Sequence, residues 1–373
     1  MASRGPSHWS GDKLLTSASV RDRAASSAAR DADPARSSKS VIAGAGLLYW
    51  LAVYPDTPLM NIALITPAAA RSRYGNRNTA TRWAQMLREL GHRVGIQQTW
   101  NGRSADLMLA LHARRSHDSI VRFAERYPER PLIVALTGTD LYRDIHIDVN
   151  AQESLELATR MVVLQDMGLR ELAPRLRRKT RVIYQSCAPI PRQQAIRSCF
   201  EIVISGHLRE EKDPFCGATA LRYLPEASRI RITHIGGARD PALAVAARHW
   251  MQHQPRYVWL GELNRPHALA TLARARAMLI SSHMEGGANV ISEALTARTP
   301  VIASRIPGNI GMLGRRYAGY YPPGDAQALA KLLVKIETQP EFLATLRRQC
   351  AERRKLISVT QERRGLRELL RRL

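Results

Sequence analysis

Short apolar runs that alternate with helical segments are the feature that most constrains the fold of this chain. From residue 60 onward the first six runs read MNIALIT, RVGIQ, DLMLAL, PLIVALT, RMVVL and RVIY. Short, nearly continuous apolar runs between helices are typical of parallel strands that are covered on both faces. Between the first two runs, the spacing of apolar residues predicts a helix over Asn76–Leu90, with Trp83 and Leu87 on its buried face.

The alternation stops at a proline-containing stretch, Ala188–Gln193, and then starts again. The second set of runs reads EIVISG, RIRITHIG, RYVWLG, AMLIS and PVIAS. We therefore predict an α/β protein with two Rossmann-like, doubly wound parallel-sheet domains, at residues 60–195 and 196–340, followed by a basic helical tail at 341–373. The two domains are expected to face each other across a cleft at the carboxyl ends of their strands, where ligands bind in open α/β sheets.

The segment before the first strand has a different composition. Residues 1–40 are rich in Ser, Ala, Arg and Asp and show no apolar period. Such a composition cannot bury enough apolar surface to fold, so residues 1–59 are predicted to be a disordered extension. Met60 is a candidate for the natural start of the folded protein.

The chain is strongly basic, with 56 Lys and Arg against 32 Asp and Glu and a formal net charge of +24. This balance predicts an anionic partner: nucleic acid, a membrane surface or a phosphorylated small molecule. Most arginines stand singly on predicted helices and not in a compact patch with interleaved aromatics, so nucleic acid is not expected. The tail interleaves leucines with arginines, which suits docking on the protein or lying on a membrane surface.

Cysteine spacing and apolar run length exclude further classes. Cys187, Cys199, Cys216 and Cys350 have no metal-ligand spacing, and sparse cysteines fit a reducing cytoplasm. The run Val41–Tyr54 has 14 residues, fewer than the roughly 20 that span a bilayer. We therefore predict a cytoplasmic protein with no metal site and no stable membrane insertion.

The segment from Ser281, SSHMEGGANVISEALTARTPVIAS, carries the most specific pattern. It follows an apolar strand and opens a helix near Ala288, whose free N-terminal amides form an anion site that suits a diphosphate. Two carboxylates flank the same helix end, where one can bind sugar hydroxyls and the other can accept hydrogen bonds from ribose. The candidate donor-binding residues of this segment are Glu285, Gly286, Gly287, Ala288, Asn289 and Glu293.

Other polar segments follow predicted strands. GHLREEK, after EIVIS, contains His207, Arg209 and Lys212. The loop after the first strand, TPAAARSRYGNRNTATRW, places cations beside a helix N-terminus, where arginines bind phosphate oxygens, although solvated arginines are the alternative interpretation. The segments LHARRSHDS and LTGTDLYRD, which also follow predicted strands, supply the remaining candidate site residues. In these, His112 can instead be a structural histidine and Asp140 a helix N-cap.

The pattern Glu285-x7-Glu293, with its preceding strand and glycine pair, resembles the donor site of the retaining GT-B glycosyltransferases. The resemblance implies that Glu285 contacts the donor sugar, Glu293 the nucleotide ribose and Lys212 the diphosphate. His207 stands where this family has an arginine, and Arg209 is the nearest substitute. In the first domain the resemblance implies that the loop around Gly75 closes on the diphosphate, and Thr137 stands where the family has a histidine.

A narrower resemblance runs from about Met60 to about Leu343. RSRYGNRNTATR, ALHARRS and ALTGTDLYRD, together with the donor segments, resemble the bacterial selenosugar synthases (SenB-type) of selenoneine biosynthesis. The resemblance implies transfer of a sugar from UDP-N-acetylglucosamine or UDP-glucose to selenophosphate, which releases UDP and phosphate and leaves a 1-seleno sugar. A selenium nucleophile needs little help from a general base. No metal is expected if Lys212 and the helix amides carry the charge of the departing diphosphate, and no cofactor is expected because the UDP-sugar is a substrate.

With this interpretation, the expected catalytic residues are Lys212, Glu285 and His112. The expected acceptor-binding residues are Arg71, Arg73, Asn76, Arg77, Arg114, Thr137, Thr139 and Asp140. A GT-B glycosyltransferase with an oxygen acceptor, such as a lipid or polysaccharide precursor, is the main alternative. A nucleic-acid-binding protein is the alternative from a different class.

Overall fold

The computed structural model describes residues 58–70, 72 and 75–373. In this part of the chain, twelve strands form two separate six-stranded sheets, and every strand pair is parallel. The predicted fold class, two Rossmann-like α/β domains of the GT-B kind, is confirmed. The predicted extension at residues 1–59 lies outside the described residues except for Pro58 and Leu59.

The first sheet has the strand order β2-β1-β3-β4-β5-β6. Its strands are β1 (Asn61–Ile65), β2 (Arg93–Gln97), β3 (Leu107–Leu111), β4 (Leu132–Leu136), β5 (Arg160–Val163) and β6 (Thr180–Val182). The chain reverses its winding direction between β1 and β3, which places a crevice at their carboxyl ends.

Five helices connect the strands of the first sheet. They are α1 (Gly75–Glu89), α2 (His117–Arg126), α3 (Ile145–Ile147), α4 (Val149–Leu157) and α5 (Pro174–Arg178). A π-helical turn, Asp140–Asp144, precedes α3, and a 3₁₀ turn, Asp166–Glu171, precedes α5. Helix α1 coincides with the helix predicted from the sequence within one residue, and Gly91 follows it with a left-handed φ of 93°.

The second sheet has the order β12-β11-β10-β7-β8-β9. Its strands are β7 (Phe200–Ser205), β8 (Ile230–Ile235), β9 (Tyr257–Trp259), β10 (Ala277–Ile280), β11 (Val301–Ser304) and β12 (Tyr320–Tyr321). The first five coincide with the apolar runs of the sequence. Strand β12 was not predicted, because two residues are too few to form a recognisable apolar run.

The helices of the second domain and the tail follow in chain order. They are α6 (Cys216–Ala220), α7 (Pro241–His253), α8 (Arg265–Arg274), α9 (Asn289–Ala297), α10 (Pro307–Leu313), α11 (Ala326–Thr338), α12 (Pro340–Arg354) and α13 (Val359–Leu370). Short 3₁₀ turns lie at Glu210–Lys212, Leu221–Tyr223 and Lys355–Ile357.

Both faces of the first sheet are buried, which explains its uninterrupted apolar strands. On β1, Ala63 and Ile65 join one core cluster, whereas Ile62 and Leu64 join another that contains Trp83 of α1. Successive residues of a strand point to opposite faces, so a strand covered on both sides must be apolar throughout.

The two helices of the tail pack on different domains. Helix α12 contributes Leu343 and Leu346 to the core of the second domain. Helix α13 returns to the first domain, where Leu366 and Leu369 pack in the same cluster as Trp83. The leucines that alternate with arginines in the tail therefore cover apolar protein surface.

Candidate active site

A cleft of about 490 Å³ lies between the carboxyl ends of the two sheets. The segments that line it follow β1 and β3 to β6 of the first sheet and β7 to β10 of the second. Most of the residues predicted from the sequence meet there: Gly75, Asn76, His112, Thr137, Thr139, His207, Arg209, Lys212, Glu285, Gly286, Gly287, Ala288, Asn289 and Glu293.

The glycine pair before α9 is required by contact between the domains. A Cβ atom on Gly286 would overlap the carbonyl oxygen of Thr137 and stand 2.7 Å from the amide nitrogen of Gly138. A Cβ atom on Gly287 would overlap the side chain of Leu164. Both contacts come from the first domain. Glycine at 286 and 287 therefore lets the loop between β10 and α9 (residues 281–288, here the donor loop) pack directly against the first domain.

Lys212 and Glu285 face each other at the carboxyl ends of the adjacent strands β7 and β10. The ammonium group of Lys212 donates to Oε1 of Glu285, which also accepts from the hydroxyl of Ser282 at 2.7 Å. Ser281 fixes the lysine loop, since its hydroxyl donates to the carbonyl oxygens of Lys212 and Asp213 at 2.9 and 2.8 Å. A cation and a carboxylate are therefore held together beside the N-terminus of α9.

Glu293 projects from the second turn of α9 into the same cleft. Its Oε1 lies 2.9 Å from Nη1 of Arg265, on the first turn of α8. Burial raises the pKa of Glu293 above its ordinary value, and the charges of Arg265 and Arg82 act against that rise. The arginines therefore favour the ionised carboxylate, which is the form that accepts two hydrogen bonds from a diol.

His207 does not supply the positive charge that an arginine at this position would carry. Burial lowers its pKa below the usual 6.5, and the nearby charge of Arg239 lowers it further. The ring is therefore neutral at pH 7. Arg239 lines the cleft beside it, and Arg209 lines it with its Nε 3.9 Å from a carboxylate oxygen of Glu211.

His112 occupies a strained position at the end of β3. Its φ of 76° is left-handed, a conformation that non-glycine residues adopt mainly where surrounding contacts enforce it. Its Nδ1 accepts from the amide of Arg115 at 3.3 Å, which leaves Nε2 as the donor to Oγ1 of Thr139 at 3.1 Å. His112 and Thr139 thus form one polar pair on the first-domain side of the cleft.

The side chain of Asp140 holds backbone amides in place, although it is not the N-cap of the following helical turn. It is completely buried and accepts from the backbone amides of Thr137, Gly138 and Ala113 at 2.7–3.2 Å. Its carboxylate is occupied by the amides of the two loops that follow β3 and β4, and Asp140 is not among the residues that line the cleft. It fixes the loop that meets Gly286.

Two arginines expected at the acceptor site lie elsewhere. Arg114 points away from the cleft because its Nε pairs with Asp148 at 2.7 Å, and the next residue, Arg115, lines the cleft instead. Arg77 does not line the cleft either, because Asn76 and Thr79, three residues apart on α1, present the face that does. Arg71 and Arg73 lie outside the described residues.

Several cleft residues were not predicted from the sequence. Gln185 follows β6, and its side-chain amide bridges the domains: oriented by its hydrogen bonds, it donates to the carbonyl of Gly287 at 3.0 Å and to Oδ1 of Asn289 at 2.9 Å and accepts from Thr79. Arg239, Glu262 and Arg265 also line the cleft. Gln185, Arg239 and Glu262 follow strands closely, which was the available signal; Arg265 had none.

Two other kinds of site are absent from the described residues. No group of three His, Cys, Asp or Glu side chains has the proximity needed to hold a metal ion. Over the same part of the chain, no helix has both the length and the apolar character required to cross a bilayer.

The second domain is similar to a known protein family. Residues 191–356 match the family model described as "Glycosyl transferases group 1". The match covers the second domain and the first helix of the tail, which is less than half of the chain. The match includes β7 to β12, the donor loop and α12, so Lys212, Glu285 and Glu293 all lie within the matched residues. No curated protein is similar enough in sequence to count as a relative.

Solved structures match both domains together. HepE of Anabaena, crystallised with UDP and glucose, superimposes with a TM-score of 0.67 at 16% identity, over 84% of this chain and 100% of that chain. Sucrose-phosphate synthase from Thermosynechococcus elongatus gives a TM-score of 0.64 at 16% identity, over 84% and 98% of the two chains. At such identities the likeness establishes the GT-B fold.

Proposed function

We propose that this chain is a selenosugar synthase, which transfers the sugar of UDP-N-acetylglucosamine or UDP-glucose to selenophosphate. The observation that supports binding of the UDP-sugar donor is the grouping of Lys212, Glu285 and Glu293 around the N-terminus of α9. A diphosphate needs cations and free amides, and the two sugars of a nucleoside diphosphate sugar need carboxylate acceptors for their hydroxyls. HepE, which shares this fold, was crystallised with UDP and glucose.

Binding of the acceptor, selenophosphate, is supported by residues on the first-domain side of the cleft. Arg115 lines the cleft at the end of β3, and His112 and Thr139 add a polar pair beside it. An arginine fork binds the oxygens of a phosphate group, and selenophosphate is a small, multiply charged anion. The Arg-rich segments that resemble the selenosugar synthases lie in this domain.

The proposed reaction forms one bond at the anomeric carbon and breaks another. The selenium of selenophosphate attacks this carbon with an electron pair, and the C–O bond to UDP breaks, which leaves the electron pair on the diphosphate. Lys212 and the amides of α9 stabilise the departing diphosphate. Water then cleaves the P–Se bond and releases phosphate and the 1-seleno sugar. No metal is needed in this scheme.

Mass spectrometry of the purified protein tests the proposal. The protein is incubated with UDP-N-acetylglucosamine or UDP-glucose and selenophosphate, with a chelator present. A selenium isotope pattern on a sugar mass is the expected result. Release of UDP without a selenium product would refute the acceptor and support a GT-B glycosyltransferase with an oxygen acceptor.

Matched variants test which residues bind the donor. Glu293→Gln is expected to weaken UDP binding in calorimetric titration, because it removes a carboxylate that accepts from ribose. Glu352→Gln, on the exposed face of α12, is the control for the loss of one negative charge. Equal UDP affinity in the two variants would contradict the assignment of Glu293.

A further inference from the structure

A second concave site lies at the amino ends of the strands of the second sheet, whereas the cleft lies at their carboxyl ends. It has a volume of about 530 Å³, within the range of small-molecule sites. Part of its lining immediately precedes β10 and β11, so it opens at the amino ends of these strands. Six arginines line this arginine pocket: Arg192, Arg274, Arg276, Arg298, Arg347 and Arg354.

The charge of the arginine pocket is poorly compensated. Among the described residues, only Arg274 has a carboxylate partner, the buried Glu201, at 3.1 Å. The Nε atom of Arg276 is buried without a hydrogen-bond partner. Arg347 lies close enough to Arg276 for their repulsion, after burial, to lower the pKa of Arg347. None of the residues that line the pocket is acidic.

The helix ends at this edge do not account for so many arginines. Helices α8 and α9 both end here, and a helix C-terminus carries a partial charge of about −0.5 that attracts cations. Two such ends and Glu201 offset roughly two of the six guanidinium charges. An excess of about four positive charges is left around one concavity, a larger imbalance than the capping of two helices requires.

The surroundings of the pocket favour a ligand in solution over a membrane. A membrane-binding surface adds exposed apolar side chains that enter the lipid. Of the described residues, none of the large exposed hydrophobic side chains lines this pocket. A concave, arginine-lined site instead suits planar or tetrahedral oxyanions, which arginine binds with paired hydrogen bonds.

We propose that the arginine pocket is a second binding site, separate from the cleft, for a soluble, multiply charged phosphorylated molecule. Helix α12 supplies Arg347 and Arg354, so part of the positive charge of the tail serves this site. Helix α9 joins the two sites: its first residue, Asn289, lines the cleft, and its last, Ala297, lines the arginine pocket.

Calorimetric titration with inorganic tripolyphosphate tests this site in the full-length protein, with UDP present at saturation to occupy the cleft. The wild-type protein is expected to bind tripolyphosphate. The double variant Arg347→Gln/Arg354→Gln is expected to bind it about 100-fold more weakly, roughly tenfold for each lost charge-assisted contact. Thermal melting verifies that this variant folds.

The matched control is Arg348→Gln/Arg364→Gln, which removes the same charge from exposed positions on α12 and α13. It is expected to bind tripolyphosphate with wild-type affinity. Failure of the wild-type protein to bind, or an equal loss in both double variants, would overturn the proposal. Flotation with phosphatidylglycerol vesicles separates the sources of phosphate: pocket-dependent flotation without tripolyphosphate binding would also overturn it.

Discussion

Replacing Glu362 by alanine is expected to destabilise the first domain more than any substitution on the exposed face of α13. Glu362 is 1% exposed, although it belongs to the last helix of a strongly basic tail. Its carboxylate accepts from Nε of Arg82 at 3.0 and 3.1 Å, from Nε1 of Trp83 at 2.7 Å, and from the amide of Ser186 at 2.8 Å. The hydroxyl of Ser186 donates to it as well, at 2.5 Å.

The size of the loss in stability depends on Arg82, whose charge would lose its carboxylate partner in the alanine variant. Removing one partner of a buried ion pair typically costs about 3–5 kcal/mol, because the remaining charge stays buried. The side chain of Arg82 is 20% exposed, so water reaches part of it and the lower end of the range applies. We therefore expect a loss of about 3 kcal/mol in the free energy of unfolding, which moves the urea midpoint by roughly 1 M.

Urea unfolding followed by tryptophan fluorescence measures this loss, since the buried Trp83 reports directly on the contact. Glu368→Ala, at an exposed position of α13, is the control and should change the free energy by less than about 0.5 kcal/mol. A loss below about 1 kcal/mol for Glu362→Ala would refute the reasoning. UDP affinity should fall too, by about 0.5–2 kcal/mol, because Nη1 of Arg82 donates to Oδ1 of Asn289 at 3.3 Å.

Three further predictions concern the cleft. Gly286→Ala should lower kcat/KM for UDP release about 100-fold, because the new methyl group separates the domains, whereas Gly95→Ala, which meets only a side-chain nitrogen at 3.8 Å, should not. His207→Gln should leave UDP affinity unchanged at pH 7.5 and weaken it relative to wild type at pH 5.5, because the lowered pKa of His207 lets the ring gain its charge only in acid. Arg265→Ala should move the acid loss of UDP affinity to higher pH in calorimetric titrations, since Arg265 opposes the burial that raises the pKa of Glu293; an unchanged pH profile would contradict this.

Residues that follow adjacent strands could be predicted from the sequence. Lys212 follows β7 and Glu285 follows β10, and parallel strands that neighbour one another bring the residues after their ends together. Local periodicity likewise predicted α1 and the beginning of α9, because an amphipathic pattern and a helix N-terminus are properties of a short segment. The two-domain fold follows from the same local patterns.

Side-chain direction inside a loop could not be predicted in this way. Arg114 and Arg115 are neighbours in an arginine-rich loop, and only the ion pair of Arg114 with Asp148 decides that Arg115 faces the cleft. The side chain of Asp140 is buried outside the cleft because three backbone amides converge on it once the two loops have folded. Both outcomes depend on partners that the local pattern does not specify.

The sequence by itself determined the two parallel sheets, the beginning of α9 and the carboxylates that flank it, because these depend on residues close together in the chain. Only the tertiary structure decided that Gly286 packs against Thr137 and that Gln185 bridges the domains. It also decided that Glu362, in the basic tail, is buried against α1. In each case the partners are distant in sequence, and the packing of one domain or helix against another brings them together.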